Sequence, residues 1–237
     1  MNHQLQIPHD LKRTKVIACA TVVEEMLPFI PDGLAYERLD FGLHVDPKNL
    51  KQALQDAVDR NCKEFDTIIL GYGLCSMAVV GLKSRRCNLI VPKVDDCIAI
   101  FLGSGQTYYS QAKKEPGTYY LTKGWIEVSD TLLDEFHRIV NKYGKERTAM
   151  IMKAMLKNYK RLVYIDTGAD DQNGYKEYAQ KTAEHFGLRF EEIQGSDSLV
   201  KKMIFGPWDD EFVIISPDQR IKYTDFKIPI GCEHEKK

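Results

Sequence analysis

The stretch Thr67-Ile-Ile-Leu-Gly-Tyr-Gly-Leu-Cys75-Ser-Met-Ala-Val-Val-Gly81 constrains the fold more than any other part of the chain. Thr67 to Leu70 is a short apolar run rich in β-branched residues, the pattern of a strand buried on both faces of a parallel sheet. Gly71 and Gly73 read as the turn that follows, because glycine adopts positive φ without steric cost. A helix is then expected from about Ser76. That places Cys75 at or near its N-terminus, where amide groups and the helix dipole favour a thiolate. Open α/β sheets carry their sites at this end of a strand.

The same rhythm continues on both sides. Lys15-Val-Ile-Ala-Cys19-Ala reads as the first strand and Ala35 to Leu39 as the second. Asn88-Leu-Ile-Val91 follows the glycine stretch, and later strands are expected at Arg161 to Ile165, Leu188 to Glu192 and Glu211 to Ile215. Asp46-Pro-Lys-Asn-Leu50 opens a helix with Asp as its cap and Pro at the first helical position. Helices are also expected over Gln106 to Lys114, Asp130 to Lys142, Lys145 to Tyr159, Gly174 to Phe186 and Asp197 to Ile204. Glu115 to Ile126 reads as irregular. Together these predict an α/β fold, an open and mostly parallel sheet with helices on both faces, which two Rossmann-like lobes would also satisfy. The expected division is an arm over 1–14, an α/β body over 15–215 and a polar tail over 216–237. Within the body, lobes over 15–128 and 160–215 would be linked by helices over 129–159.

Composition excludes several functions. The net charge of the 237 residues is -1, so no basic field points to nucleic acid. No apolar run reaches the length of a membrane span, about 18 residues, so no membrane association is expected. Met1 to Thr14 is polar and lacks the apolar core of a secretory signal, so a cytoplasmic location with reduced cysteines is expected. Gly71-Tyr-Gly73 is not a dinucleotide fingerprint and there is no Walker A lysine motif. Asp166-Thr-Gly168 matches an aspartic-protease triplet in letters only.

Cys19, Cys75 and Cys97 share one structural address, each at or just beyond the end of an expected strand. In a parallel sheet those ends lie on one edge, so three thiols distant in sequence can converge. Three thiolates with an open fourth position suit a catalytic zinc or an iron–sulfur cluster with one vacant iron. No CxxC is present, and each thiol also reads as a small buried residue. Cys62, Cys87 and Cys232 lie at a helix end, before a strand and in the tail. Asp95 and Asp96 adjoin Cys97 as acid–base candidates or as a helix cap, and His44 lies in a loop on the same edge. Tyr119, Tyr120 and Trp125 read as core or as a pocket wall.

The set Ile17-Ala-Cys19, Leu43-His44, Leu70-Gly-Tyr-Gly-Leu-Cys75, Val91-Pro-Lys-Val-Asp95-Asp96-Cys97-Ile, Leu102-Gly-Ser104 and Pro116-Gly-Thr-Tyr-Tyr-Leu-Thr-Lys-Gly-Trp125 resembles a large family of anaerobic bacteria and methanogens, catalogued as a domain of unknown function. The resemblance runs from about Lys15 to Phe212. The three cysteines match its motif positions; where the family often has His before Asp-Cys, this chain has Asp95. Its members resemble neighbours of corrinoid-dependent methyltransferase systems, which implies a link to one-carbon metabolism.

Two expectations follow. The first is an enzyme of anaerobic one-carbon or sulfur metabolism, of methyl-transferase or iron–sulfur lyase type. Cys19, Cys75 and Cys97 would hold a [4Fe–4S] cluster or, alternatively, zinc. Asp95, Asp96 and His44 would move protons, and Tyr72, Ser104, Tyr119, Tyr120 and Trp125 would contact a small-molecule substrate. The second is a non-catalytic accessory protein that binds a corrinoid protein or a small methylated ligand.

Overall fold

The computed structural model describes residues 10–168 and 173–226. Residues 1–9 of the expected arm and 227–237 of the expected tail, Cys232 among them, lie outside the described residues.

In chain order, β1 (Thr14–Cys19) runs into α1 (Ala20–Met26), and β2 (Ala35–Leu39) passes through a 3-10 turn (Phe41–Val45) into α2 (Pro47–Asn61). A loop joins β3 (Thr67–Gly71) to β4 (Asn88–Pro92), followed by α3 (Cys97–Phe101) and α4 (Gly105–Lys114). Then come β5 (Thr118–Leu121), α5 (Lys123–Val128), α6 (Leu132–Tyr143) and α7 (Lys145–Met155). The last third holds β6 (Arg161–Asp166), α8 (Tyr175–Phe186), β7 (Arg189–Gln194), α9 (Ser198–Phe205) and β8 (Phe212–Ile215).

The strands form two sheets. The first has the order β2-β1-β3-β4-β8, the second β5-β6-β7. All neighbours are parallel except β8, which lies antiparallel to β4. The architecture is therefore α/β and mostly parallel, with flanking helices. Every residue of β3 is buried, as a strand with neighbours on both sides and cover on both faces requires. The edge strand β2 instead alternates half-buried and exposed side chains. α2 follows its sequence signals: Asp46 accepts from the Lys48 N–H at 2.9 Å, and Leu50, Leu54 and Val58 enter the core.

β5 joins β6 and β7, whereas β8 returns to close the edge of the first sheet beside β4. Phe212-Val-Ile-Ile215 supplies an apolar edge strand, with Ile90 facing Ile214 and Val91 facing Val213. Glu115 to Ile126, expected to be irregular, holds β5 and α5. Pairing with β6 organises the first, and Thr122 caps the second by accepting from the Trp125 N–H at 3.1 Å. One buried carboxylate joins the two halves. Glu25 on α1 accepts from the Gly124 N–H at 2.9 Å and from the Thr167 hydroxyl at 2.6 Å.

Candidate functional site

Three thiols meet the C-terminal edge of three neighbouring strands. Cys19 ends β1, Cys75 lies just beyond β3, and Cys97 opens α3 after β4. β1 is also where the winding reverses, with β2 on one side and β3 on the other, the crevice in which open α/β sheets bind ligands. All three thiols are buried, none more than 8% exposed. A charge on Cys19 or Cys75 is felt at Cys97, and a charge on Cys19 at Cys75.

These thiols are neutral in the protein as it stands. Burial pushes Cys75 up to about 12 and Cys97 well above the ordinary thiol range. Burial also raises Cys19, against the opposing pull of the Thr21 hydroxyl, which donates to its sulfur at 3.4 Å. The expectation of a dipole-favoured thiolate at Cys75 fails for a structural reason: no helix follows it. Residues 75–81 form successive turns, and Cys75, Ser76 and Met77 have φ of 42°, 56° and 71°. Three consecutive left-handed residues with side chains cost about 1–2 kcal/mol each.

The glycines also work differently from the expectation. Neither Gly71 nor Gly73 has positive φ. Gly73 is needed for close approach, since a Cβ there would stand 2.6 Å from the Val94 carbonyl oxygen and 2.7 Å from the Asp96 nitrogen. This contact lets the two cysteine loops lace together. The Leu74 N–H donates to the Val94 carbonyl and the Cys75 N–H to the Asp95 carbonyl, both at 2.9 Å.

Tyr72 lies among the thiols. Burial, with the nearby Cys19, Cys75 and Cys97, moves its ionisation far above the ordinary range. Its hydroxyl is buried and has no hydrogen-bond partner among the described residues. The His44 ring stacks on Tyr72 at 6.0 Å and on Phe41 at 5.2 Å, and Phe41 meets Trp125 edge-on at 5.3 Å. His44 Nδ1 lies 3.0 Å from the Phe41 carbonyl and so holds its proton there, leaving Nε2 as an acceptor. Burial lowers its pKa, which keeps the ring neutral.

The aromatic path leads to a cleft of about 320 Å³ beside β5, lined by Asp96, Tyr108, Tyr119, Tyr120, Trp125 and Tyr159 among others. Trp125 Nε1 and Tyr120 Oη are buried there without hydrogen-bond partners among the described residues. Asp96 caps α3 by accepting from the Ile98 N–H at 2.9 Å, and its other oxygen accepts from the Tyr108 hydroxyl at 3.1 Å. Burial raises its pKa above the usual carboxylate range. Thus cap and candidate acid, posed above as alternatives, are roles that one side chain can hold together.

Two singled-out residues lie elsewhere. Asp95 is exposed in a separate groove with Leu74, Lys93 and Tyr109, and Ser104 spends its hydroxyl capping α4 at the Thr107 N–H, 3.1 Å away. Sequence reasoning passed over Tyr108 and Tyr159. It also passed over Arg161, whose wholly buried guanidinium meets Thr118 and Glu191 at 2.7 Å and Gln111 at 3.1 Å. A cation opening an otherwise apolar strand run was the signal available for the last.

Among the described residues, no three Cys, His, Asp or Glu side chains stand close enough together to hold a single metal ion. In a cubane cluster each thiolate binds a different iron, so its sulfurs stand farther apart than the ligands of one ion. Cys19, Cys75 and Cys97, buried at one edge of the sheet, are the residues that would hold such a group.

A family described as "Protein of unknown function (DUF1638)" matches residues 38–204, and the chain belongs to it. No curated protein and no solved structure matches the chain.

Proposed function

For a DUF1638 chain, a family whose description assigns no activity, we propose an enzyme that holds one [4Fe–4S] cluster on Cys19, Cys75 and Cys97 and acts on a small substrate in the adjoining cleft. The carrying observation is the gathering of three buried thiols from three adjacent parallel strands around the unpartnered Tyr72 hydroxyl. When bound, the cluster would supply an open iron as a Lewis acid for a substrate oxygen or sulfur.

The chain's own groups supply the remaining functions. Burial raises the thiols, so they would give up their protons only when a cation binds. The Tyr72 hydroxyl is a donor buried beside the three thiols, with no competing partner among the described residues. Asp96, with its raised pKa and its bond to Tyr108, holds or moves a proton at the cleft. The Tyr119, Tyr120 and Trp125 rings exclude water and orient the substrate.

The test is iron and acid-labile sulfide content after strictly anaerobic reconstitution with ferrous iron and sulfide. About four of each per chain, lost in Cys75→Ala and kept in Cys62→Ala, is the expected result. One zinc per chain on the same cysteines would replace the cluster with thiolate activation. A metal-free chain under every condition overturns the reading, and capture of a corrinoid protein by that chain would favour the accessory role.

A further inference from the structure

A second concavity is lined by none of Cys19, Cys75 and Cys97. It is formed by the C-terminal half of α2, the segment that enters β4 and the segment after β8. Its volume is about 630 Å³, and Lys63, Lys83, Arg85, Arg86 and Arg220 line it, with Asp59 as the one lining carboxylate. Among the described residues, none of these five cations forms an ion pair. Asp59 instead accepts from the Gln55 side-chain amide at 3.0 Å.

The backbone beneath the cations is pinned. The Gln55 side chain donates to the Lys83 carbonyl at 2.9 Å and accepts from the Lys83 N–H at 3.2 Å. Lys83 pairs with Arg220 in an isolated antiparallel bridge. The Ser84 hydroxyl accepts from the Arg86 and Cys87 N–H groups at 3.2 Å and 3.0 Å. Like charges held around one concavity repel, and a bound anion offsets that repulsion. The cost is otherwise unexplained in a chain whose net charge is -1.

We propose that this cleft binds a small, multiply charged oxyanion carrying phosphoryl or carboxylate groups, which the arginine forks grip in pairs. A small ligand is favoured over a nucleic acid on two grounds. The volume lies within the small-ligand range, roughly 300–1,000 Å³. Among the described residues, no aromatic side chain lines the cleft to stack a base.

The experiment is titration calorimetry on the full chain with inorganic triphosphate, pyrophosphate and citrate. Saturable binding of one anion per chain is expected, weakening as salt rises and falling about tenfold or more in Arg85→Ser/Arg220→Ser. The preference among the three probes separates phosphoryl from carboxylate ligands. Both substituted side chains are exposed, so the variant should fold, and its thermal unfolding should match wild type. Cys75→Ala should bind the probes like wild type, which keeps this site separate from the cysteines. Absence of saturable binding, equal binding by the double variant, or binding only of a long polyanion such as an oligonucleotide would overturn the proposal.

Discussion

The two sheets bury polar groups and treat them in opposite ways. Under the second sheet, the Arg161 guanidinium is sealed from solvent and meets Thr118, Glu191 and Gln111 within 3.1 Å. At the edge of the first sheet, the Tyr72 hydroxyl has no hydrogen-bond partner among the described residues, burial raises three thiols, and three residues in a row are left-handed. A satisfied network in a dry setting stiffens the fold. An unsatisfied, strained one costs stability and persists because its surroundings over-determine it, which is the condition of a site kept for chemistry. The lacing of Leu74 and Cys75 to the Val94–Asp95 backbone is that over-determination.

The comparison breaks most readily at Arg161. Arg161→Met leaves Glu191 and Glu115 without their buried partner and should cost about 3 kcal/mol in urea unfolding. A loss of a few tenths would reduce the network to the worth of surface ion pairs. Next comes Gly73→Ala, whose new Cβ would collide with the Val94–Asp96 backbone. It should cost about 1–3 kcal/mol and part the two cysteine loops, so metal loading should fall with it. Unchanged loading and melting would mean that the close contact is not needed.

Ser76→Gly sharpens the contrast with the opposite sign. Relief of a left-handed side chain should stabilise the metal-free chain by up to about 1 kcal/mol, read as a higher melting temperature. A drop would mean that the turn is not strained.

The smallest effect expected is in pH dependence. The hydrogen bond from Arg161 holds the Glu191 carboxylate below its ordinary range. Its folded pKa therefore lies below its unfolded one. The stabilisation is present above the unfolded pKa and is lost as pH falls through the folded pKa. Glu191→Gln should lower the melting temperature at neutral pH, where the stabilisation is present, and flatten its fall in that acid window. An unaltered slope would remove Glu191 from the network's energetics.

Legibility differed between strands and loops. β3 could be read from Thr67-Ile-Ile-Leu70 because a doubly covered strand must be apolar throughout. Parallel winding then set Cys19, Cys75 and Cys97 on one edge. The loop after β3 was misread because a glycine satisfies two different needs, positive φ and close approach, and its neighbours in sequence do not say which. Gly73 answers to the backbone of Val94 to Asp96, a contact across chain separations that no local pattern encodes. Tyr108 was passed over because a tyrosine on an amphipathic helix looks alike whether it faces solvent or Asp96.

The amino-acid sequence by itself determined the α/β class and the succession of strands and helices, because hydrophobic period and caps act over a few residues. It also placed the cysteines at strand ends. Only the tertiary structure decided which sheet β5 and β8 join, that burial raises the thiols, that Cys75 sits in a left-handed turn, and that five cations with no ion pair among the described residues share one cleft. Those outcomes depend on desolvation, backbone contact and charge crowding between segments far apart in the chain, and such energies exist only once the segments have met.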